Sequence, residues 1–459
     1  MLWETIRDAM RVHTHSVVRE EGREMTYAAY LQAAERMARS LNAGEKYGIL
    51  CDSELCAGMA ILACFAAGAV AVPAAARYGE NFAQKIIRAA RLTQIIRDPG
   101  GALCVEPLPG QEADGPDDLP EDAALIMCTS GTTGLPKGAV LTSAGLCANL
   151  RDIAKYFRIH DGQRILIARP LYHCAALTGE FLIALLKGLD IVFSARAFNP
   201  AAWIRAVREE NVSVLCATPT AFSKLYDLAH RHALRLPVQT AAVSGECMTQ
   251  TAAHKLRALL PNTQVYHVYG LTEASPRVAY LEPELFDRCP QSVGTPVASM
   301  RARIVGEDGA DVPPGTPGEL IVSGPNVMAG YYRNEELTNR AIRGGYLYTG
   351  DIAVKDATGR ITIRSRRDHM IIRAGMNIYP QEIESVLEAD ERVEQALAYG
   401  VPGEDGQRLC VKIVAAAPLT RQEAARLLME KLSSCQMPDE ILFTDHLART
   451  CSGKLVRAV

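Results

Sequence analysis

Several features that would direct a functional reading are missing from this chain. It has no basic run: 49 lysines and arginines stand against 52 aspartates and glutamates, and the formal net charge over 459 residues is -3. The electrostatic footprint of a protein that tracks phosphate backbones is therefore absent, and nucleic acid is not an expected partner. The 13 cysteines show no zinc-type spacing. Cys51 and Cys56 have no matching second pair, and most of the others lie in apolar stretches, which reads as buried thiols in a reducing cytosol. The opening MLWETIRDAM carries acidic residues early and no apolar core before a small-residue cleavage site, so no secretory signal is expected. Internal repeats are lacking as well.

Long apolar runs are scarce, with one exception. Cys56 to Ala76 is uncharged for 21 residues, long enough to span a bilayer. Its composition argues otherwise, because it is rich in Ala and Gly and Pro73 would break a continuous helix. A buried helix to about Gly68, followed by a core strand, is the expected arrangement.

What is present is ordinary for a globular protein with a sizeable core: 48% hydrophobic and 22% charged residues. The length suggests two to four substructures, or one large domain and a small one. From about residue 160, RILIA, DIVFSA, VSVLCA, QTAAVS and TQVYHV alternate with helix-like stretches such as AAWIRAVREE and TAAHKLRALL. That rhythm predicts βαβ units and much parallel pairing. From Gly294 to Gly359, Gly, Pro and short strands predict a mainly β layer. After Arg366, strand-like MIIRA and VKIVAAA and helical QEIESVLEA and TRQEAARLLMEKL predict a small α+β domain. PLPGQEADGPDDLPE, residues 107 to 121, reads as a surface link.

Thr129 to Gly138, TSGTTGLPKG, follows the strand-like AALIMC. Its glycines, hydroxyls and lysine can surround phosphate oxygens. It is not a Walker A loop, since Lys137 lies between Pro136 and Gly138 rather than before Ser or Thr. Taken alone, such a turn serves structure as readily as phosphate.

The loop is followed in order by PLYH (170 to 173), SGE (244 to 246), YGLTE (269 to 273), GELIVSGPNVMAGYY (318 to 332), YTGD (348 to 351), SRRD (365 to 368), NIYPQEIE (377 to 384) and SGK (452 to 454). In these motifs and their spacing the whole chain resembles the adenylate-forming superfamily of acyl-CoA synthetases, peptide-synthetase adenylation domains and luciferases. The resemblance implies an α/β multidomain fold, with a large N-terminal domain (1 to 366) and a small mobile α+β domain (367 to 459) hinged at Asp368. It implies ATP and Mg²⁺ as cofactors.

By the same resemblance, Thr129, Ser130, Gly131, Thr132, Thr133, Gly134 and Lys137 surround the phosphates, and Gly245, Glu246, His267, Tyr269 and Gly270 contact the nucleotide. Thr272 meets the α-phosphate and Glu273 helps hold Mg²⁺. Asp351 offers two acceptor oxygens to the ribose diol, and Arg366 adds a fixed fork of donors. Lys454 stabilises the charge that builds as AMP is transferred. His267 stands where many relatives have Asn, Gln or Asp, and Ser365 where the family has Gly.

The acid pocket is expected at His173, Cys174, Ala175, Gly179, Ser244, Gly245 and Leu271, and the thiol channel near Gly375. Ala175 replaces the aspartate that binds the ammonium in amino-acid-activating relatives, so an aryl or acyl acid is expected. No carrier segment follows Lys454. The expected acceptor is therefore free CoA, with the phosphopantetheine of a separate carrier protein as the alternative, and a non-catalytic nucleotide-binding relative as a further one. The expected partners are the acid and this thiol, with neither nucleic acid nor a membrane span expected, and the setting is cytoplasmic.

Overall fold

A computed structural model describes residues 1–74, 79–108, 119–129, 136–194, 198–373, 376–403, 406–449 and 455–457. Two large sheets and a β layer precede a small C-terminal α+β unit. The first sheet has nine strands. Val17–Glu20, Asp190–Phe193, Arg164–Ile167, Val214–Ala217, Thr240–Val243 and Gln264–Gly270 run parallel across its centre. Short β-branched runs separated by helices give this pairing, as the sequence rhythm predicts. Two of the helices between these strands start where a threonine accepts a backbone N–H: Thr218 from Ala221 and Thr249 from Ala252.

The second sheet has seven strands. Its edge joins Ala123–Thr129 to Lys137–Thr142 and then to Gly330–Tyr331, all antiparallel. The helix Glu54–Ala67 is buried from Glu54 through Phe65 and lies in the apolar cluster shared by both sheets. Burial on every face explains why its sequence is uniformly apolar. It ends at Gly68, whose φ of 69° needs no Cβ, and the strand Val70–Pro73 follows. Among the described residues no helix is long and apolar enough to cross a membrane.

The β layer pairs Arg301–Val305, Gly318–Ser323, Tyr346–Lys355 and Ile361–Arg366 antiparallel. From Ile371 onward the chain builds a separate apolar cluster around Ile371, Ile383, Leu409, Val411 and Leu428. The helices Pro380–Leu387 and Arg421–Met429 match the sequence reading, the second closed by a Thr420–Glu423 capping box. A long hairpin of Val393–Gly403 and Gly406–Ala415 is the central element here.

Candidate active site

Neighbouring parallel strands carry two motifs to one edge of the first sheet. Ser244, Gly245 and Glu246 follow Val243, while Leu271, Thr272 and Glu273 follow Gly270, and Val243 pairs with His267. In α/β sheets the carboxyl ends of such strands are where ligands bind. Gly245 has a φ of 95°, a backbone state that suits glycine. Glu246 Oε2 accepts the Thr220 N–H at 3.1 Å, at the positive end of the helix Pro219–Arg231.

Tyr269, Asp351 and Arg366 form one network. The Tyr269 hydroxyl donates to Asp351 Oδ2. Arg366 Nη1 donates to Asp351 Oδ1 at 3.3 Å and to the Thr349 carbonyl at 2.9 Å. Burial, then the Asp351 charge, pushes the Tyr269 hydroxyl well above its ordinary pKa. It remains a donor. Burial opposes the Arg366 charge, but Asp351 and Asp368 more than offset it and the guanidinium is held charged. Gly350, at φ 72°, lets the arginine approach: a Cβ there would lie 3.0 Å from Arg366 Nη2. A carboxylate presents two acceptor oxygens side by side, the arrangement that suits a vicinal diol.

Glu273 is oriented by a residue to which the sequence reading assigned no role. Tyr331 donates its hydroxyl to Glu273 Oε1 at 2.9 Å, and Lys137 Nζ lies 5.9 Å from the Tyr331 ring centre. The only signal for Tyr331 in the sequence is its membership of the GELIVSGPNVMAGYY motif. Thr129 Oγ1 donates to the Lys137 carbonyl at 3.4 Å, closing the two strands at the base of the loop. Ser130, Gly131, Thr132, Thr133 and Gly134 lie outside the described residues, as do Gly375 and Lys454. A lone carboxylate suits a magnesium ion that keeps waters and phosphate oxygens as its other ligands, so Glu273 fits the expected metal. Among the described residues there is no cluster of three metal-ligating side chains.

His267 is 2% exposed, and its Nδ1 lies 2.9 Å from the carbonyls of Pro290 and Ser292. Burial pushes its pKa down to about 4. The ring is neutral, the two carbonyls place the proton on Nδ1, and Nε2 is an acceptor. An acceptor is what an amino group requires, so the histidine can replace an Asn or Asp oxygen.

On the expected acid side, Tyr172 donates to the Cys128 carbonyl at 2.8 Å and packs edge-on against His173. After Cys174–Ala176 the helix widens into a π-helical stretch, Leu177–Leu182, before Ile183–Lys187. Such stretches are frequent at functional sites. Burial pushes the Cys174 thiol up to about 12, so it packs as an inert apolar group. Ala175 is half-buried, Ser244 is buried, and the Leu271 N–H bonds the Pro276 carbonyl at 3.0 Å.

The small C-terminal unit reaches this edge through polar contacts. Gln381 Nε2 lies 3.1 Å from Cys247 Sγ, and Thr251 Oγ1 donates to the Glu388 carbonyl at 2.9 Å. Arg449 Nη1 is 3.9 Å from Glu246 Oε1. Arg449 and Leu455 form an antiparallel bridge. Asp368, in the turn Arg367–His369, accepts from Arg366 Nε at 3.4 Å.

Comparison with known proteins gives a consistent result. Residues 6–332 match the family described as AMP-binding enzyme, and residues 382–454 match the AMP-binding enzyme C-terminal domain. The chain is 33% identical to a feruloyl-CoA synthase of Amycolatopsis sp, covering 99% of this chain and 97% of that one. The structure is similar to O-succinylbenzoate coenzyme A synthetase of Bacillus subtilis in complex with AMP, with TM-score 0.85 and 25% identity over 99% of this chain and 97% of that one. The same synthetase in complex with ATP and magnesium ion gives 0.84 and 26%, over 99% and 98%.

Proposed function

Because the chain belongs to the AMP-binding enzyme family, we propose that it activates a carboxylic acid with ATP, releasing pyrophosphate, and passes the acyl group from the acyl-adenylate to the thiol of CoA. The observation that carries this reading is the joint placement of Tyr269, Asp351, Arg366 and the Tyr331-oriented Glu273 at one sheet edge. In it, Tyr269 lies on the adenine, Asp351 holds the ribose, and Lys137 and Thr272 take the phosphates. Mg²⁺ at Glu273 would neutralise charge on the phosphate oxygens. Lys454 donates to the reacting centre, and Gly375 lines the thiol channel. CoA as acceptor is supported by the feruloyl-CoA and O-succinylbenzoate relatives.

The division into domains falls between Arg366 and Arg367. This is supported by the end of the β layer at Arg366 and the separate apolar cluster from Ile371. A reducing cytoplasm is the proposed setting, supported by cysteines that are all free among the described residues, most of them buried.

Acid-dependent exchange of labelled pyrophosphate into ATP tests the first half-reaction. Addition of CoA, with mass detection of the product, tests the second. Exchange without a CoA thioester would move the acceptor to a carrier protein, and absence of exchange with every acid would remove the adenylation reading.

A further inference from the structure

Arg457, three residues after Lys454 in the sequence, makes a two-pronged contact that the mechanism above does not use. Its Nη2 donates to Glu384 Oε2 at 2.9 Å, and its Nη1 donates to Glu384 Oε1 and, at 3.0 Å, to the Ala398 carbonyl. Glu384 Oε1 also accepts the Ala398 N–H at 2.8 Å. The two charged side chains are only 15% and 9% exposed. Burial opposes the Arg457 charge, but the hydrogen bonds and charge of Glu384 more than offset it, and the guanidinium is held charged. Glu384 lies in the helix Pro380–Leu387 and Ala398 in the strand Val393–Gly403, so one arginine fastens its stretch of chain to both.

That stretch has no regular structure of its own. Among the described residues no helix or strand follows Phe443. The Val456 N–H reaches the Ala448 carbonyl at 2.9 Å beside the Arg449–Leu455 bridge, and Leu447 and Leu455 pack with Leu397 and Tyr399. Apolar packing is non-directional, whereas a bidentate ion pair adds geometric specificity. The helix that receives Arg457 is also one that meets the large unit. Gln381, in its first turn, contacts Cys247, and Glu388, at its C-terminal cap, contacts Thr251. Glu384 stands between them, about one turn from each. Any shift of the Arg457 stretch against this helix is therefore a shift against the SGE edge. A buried ion pair is a weak source of stability, and its better attested use is to fix one arrangement of the chain.

Resting on the adenylation reading, in which Lys454 donates to the reacting centre, we propose that Arg457 and Glu384 are positioning residues for Lys454. The pair carries the docked position of the helix Pro380–Leu387 to the chain that bears the lysine. Its contribution belongs to AMP transfer and is exerted through Lys454.

Two substitutions test this. Arg457→Lys keeps the charge but loses the fork of donors, and Glu384→Gln keeps the shape but loses the charge. The acid used is whichever of benzoate, cinnamate, hexanoate and decanoate gives the fastest pyrophosphate exchange in the wild-type protein. Each variant should lower kcat for exchange by about tenfold or more, because a misplacement of about 1 Å can cost 10²-fold, while KM for ATP stays within about threefold. Conversion of the synthetic adenylate of that acid to its CoA thioester should also stay within about threefold, as for an interaction made only in the first half-reaction. In a Lys454→Ala background, Arg457→Lys should cost less than about threefold more in exchange, since residues acting as one unit are not additive. Thermal melting selects the folded variants. Equal loss of both half-reactions, unchanged exchange, or a further tenfold loss on top of Lys454→Ala overturns the proposal and leaves adenylation standing. Failure of both variants to fold makes the pair a purely structural one and overturns it as well. A wild-type protein that exchanges with no acid overturns adenylation and this proposal with it.

Discussion

At the scale of single residues, the site depends on side chains whose charge states are set by burial. Asp351 accepts from Tyr269 and Arg366, and its proposed ribose contacts are hydrogen bonds to a charged group, worth about 1.5–3 kcal/mol each. Asp351→Ala should therefore raise KM for ATP by about tenfold or more while the protein stays folded. Unchanged ATP dependence in exchange assays would take Asp351 out of the site. His267 gives a pH prediction. With its pKa pushed down to about 4, the ring is neutral throughout pH 6 to 8, and KM for ATP should carry no step from it. A step near pH 6.5 that disappears in His267→Gln would show that the ring protonates. Tyr269, Asp351 and Arg366 were legible in the sequence because each sits in a motif of fixed residue types. Tyr331 was not. Tyr331 acts on Glu273 across 58 residues of chain. Such relations exist only once the chain is folded.

At the scale of elements, the helices and parallel strands were readable from hydrophobic period and Gly or Pro boundaries, and Glu54–Ala67 followed by Val70–Pro73 is the clearest case. The strand Val393–Gly403 was not readable. It contains Gly400 and Pro402, which speak against a strand locally, and ten register pairs with Gly406–Ala415 override them. The π-helical stretch was invisible too, since a segment buried on every face shows no amphipathic period. The helix Pro380–Leu387 ends at Glu388, whose carbonyl accepts from Thr251 across the two units. Burial pushes the Glu388 carboxyl from 4.5 up to about 8. Between these values the folded protein holds a proton that the unfolded chain has lost. Stability should therefore fall as pH rises through that window and level off above it. Thermal midpoints measured from pH 5 to 8.5 should show this slope, and Glu388→Gln should flatten it. An equal slope in the variant would exclude Glu388 as the source.

At the scale of the whole molecule, the small unit meets the large one through polar contacts near Glu246, Cys247 and Thr251, an interface suited to rearrangement. If rotation at Asp368 separates the half-reactions, Lys454→Ala should lose exchange by about 10²-fold yet still convert supplied acyl-adenylate to thioester. Asp368→Pro should do the reverse, because proline fixes φ and restricts the residue before it. Product yields from acid plus ATP, and from preformed adenylate plus CoA, decide this. Equal loss of both activities in both variants would exclude the rotation. The order of strands in the first sheet carries a different kind of consequence, one of time. Val18 pairs with Ile191, and the helix Leu2–Val12 buries Leu2, Ile6 and Met10 against elements that include Ile183–Lys187. A ribosome adding about 5–20 residues per second needs on the order of ten seconds or more to make the intervening chain. Throughout that interval the first strand has only its hairpin partner Arg23–Thr26, and the first helix only the part of its seat that Tyr27–Ala38 and Glu54–Ala67 supply, so the opening segment of the nascent protein waits half-covered for chain made much later.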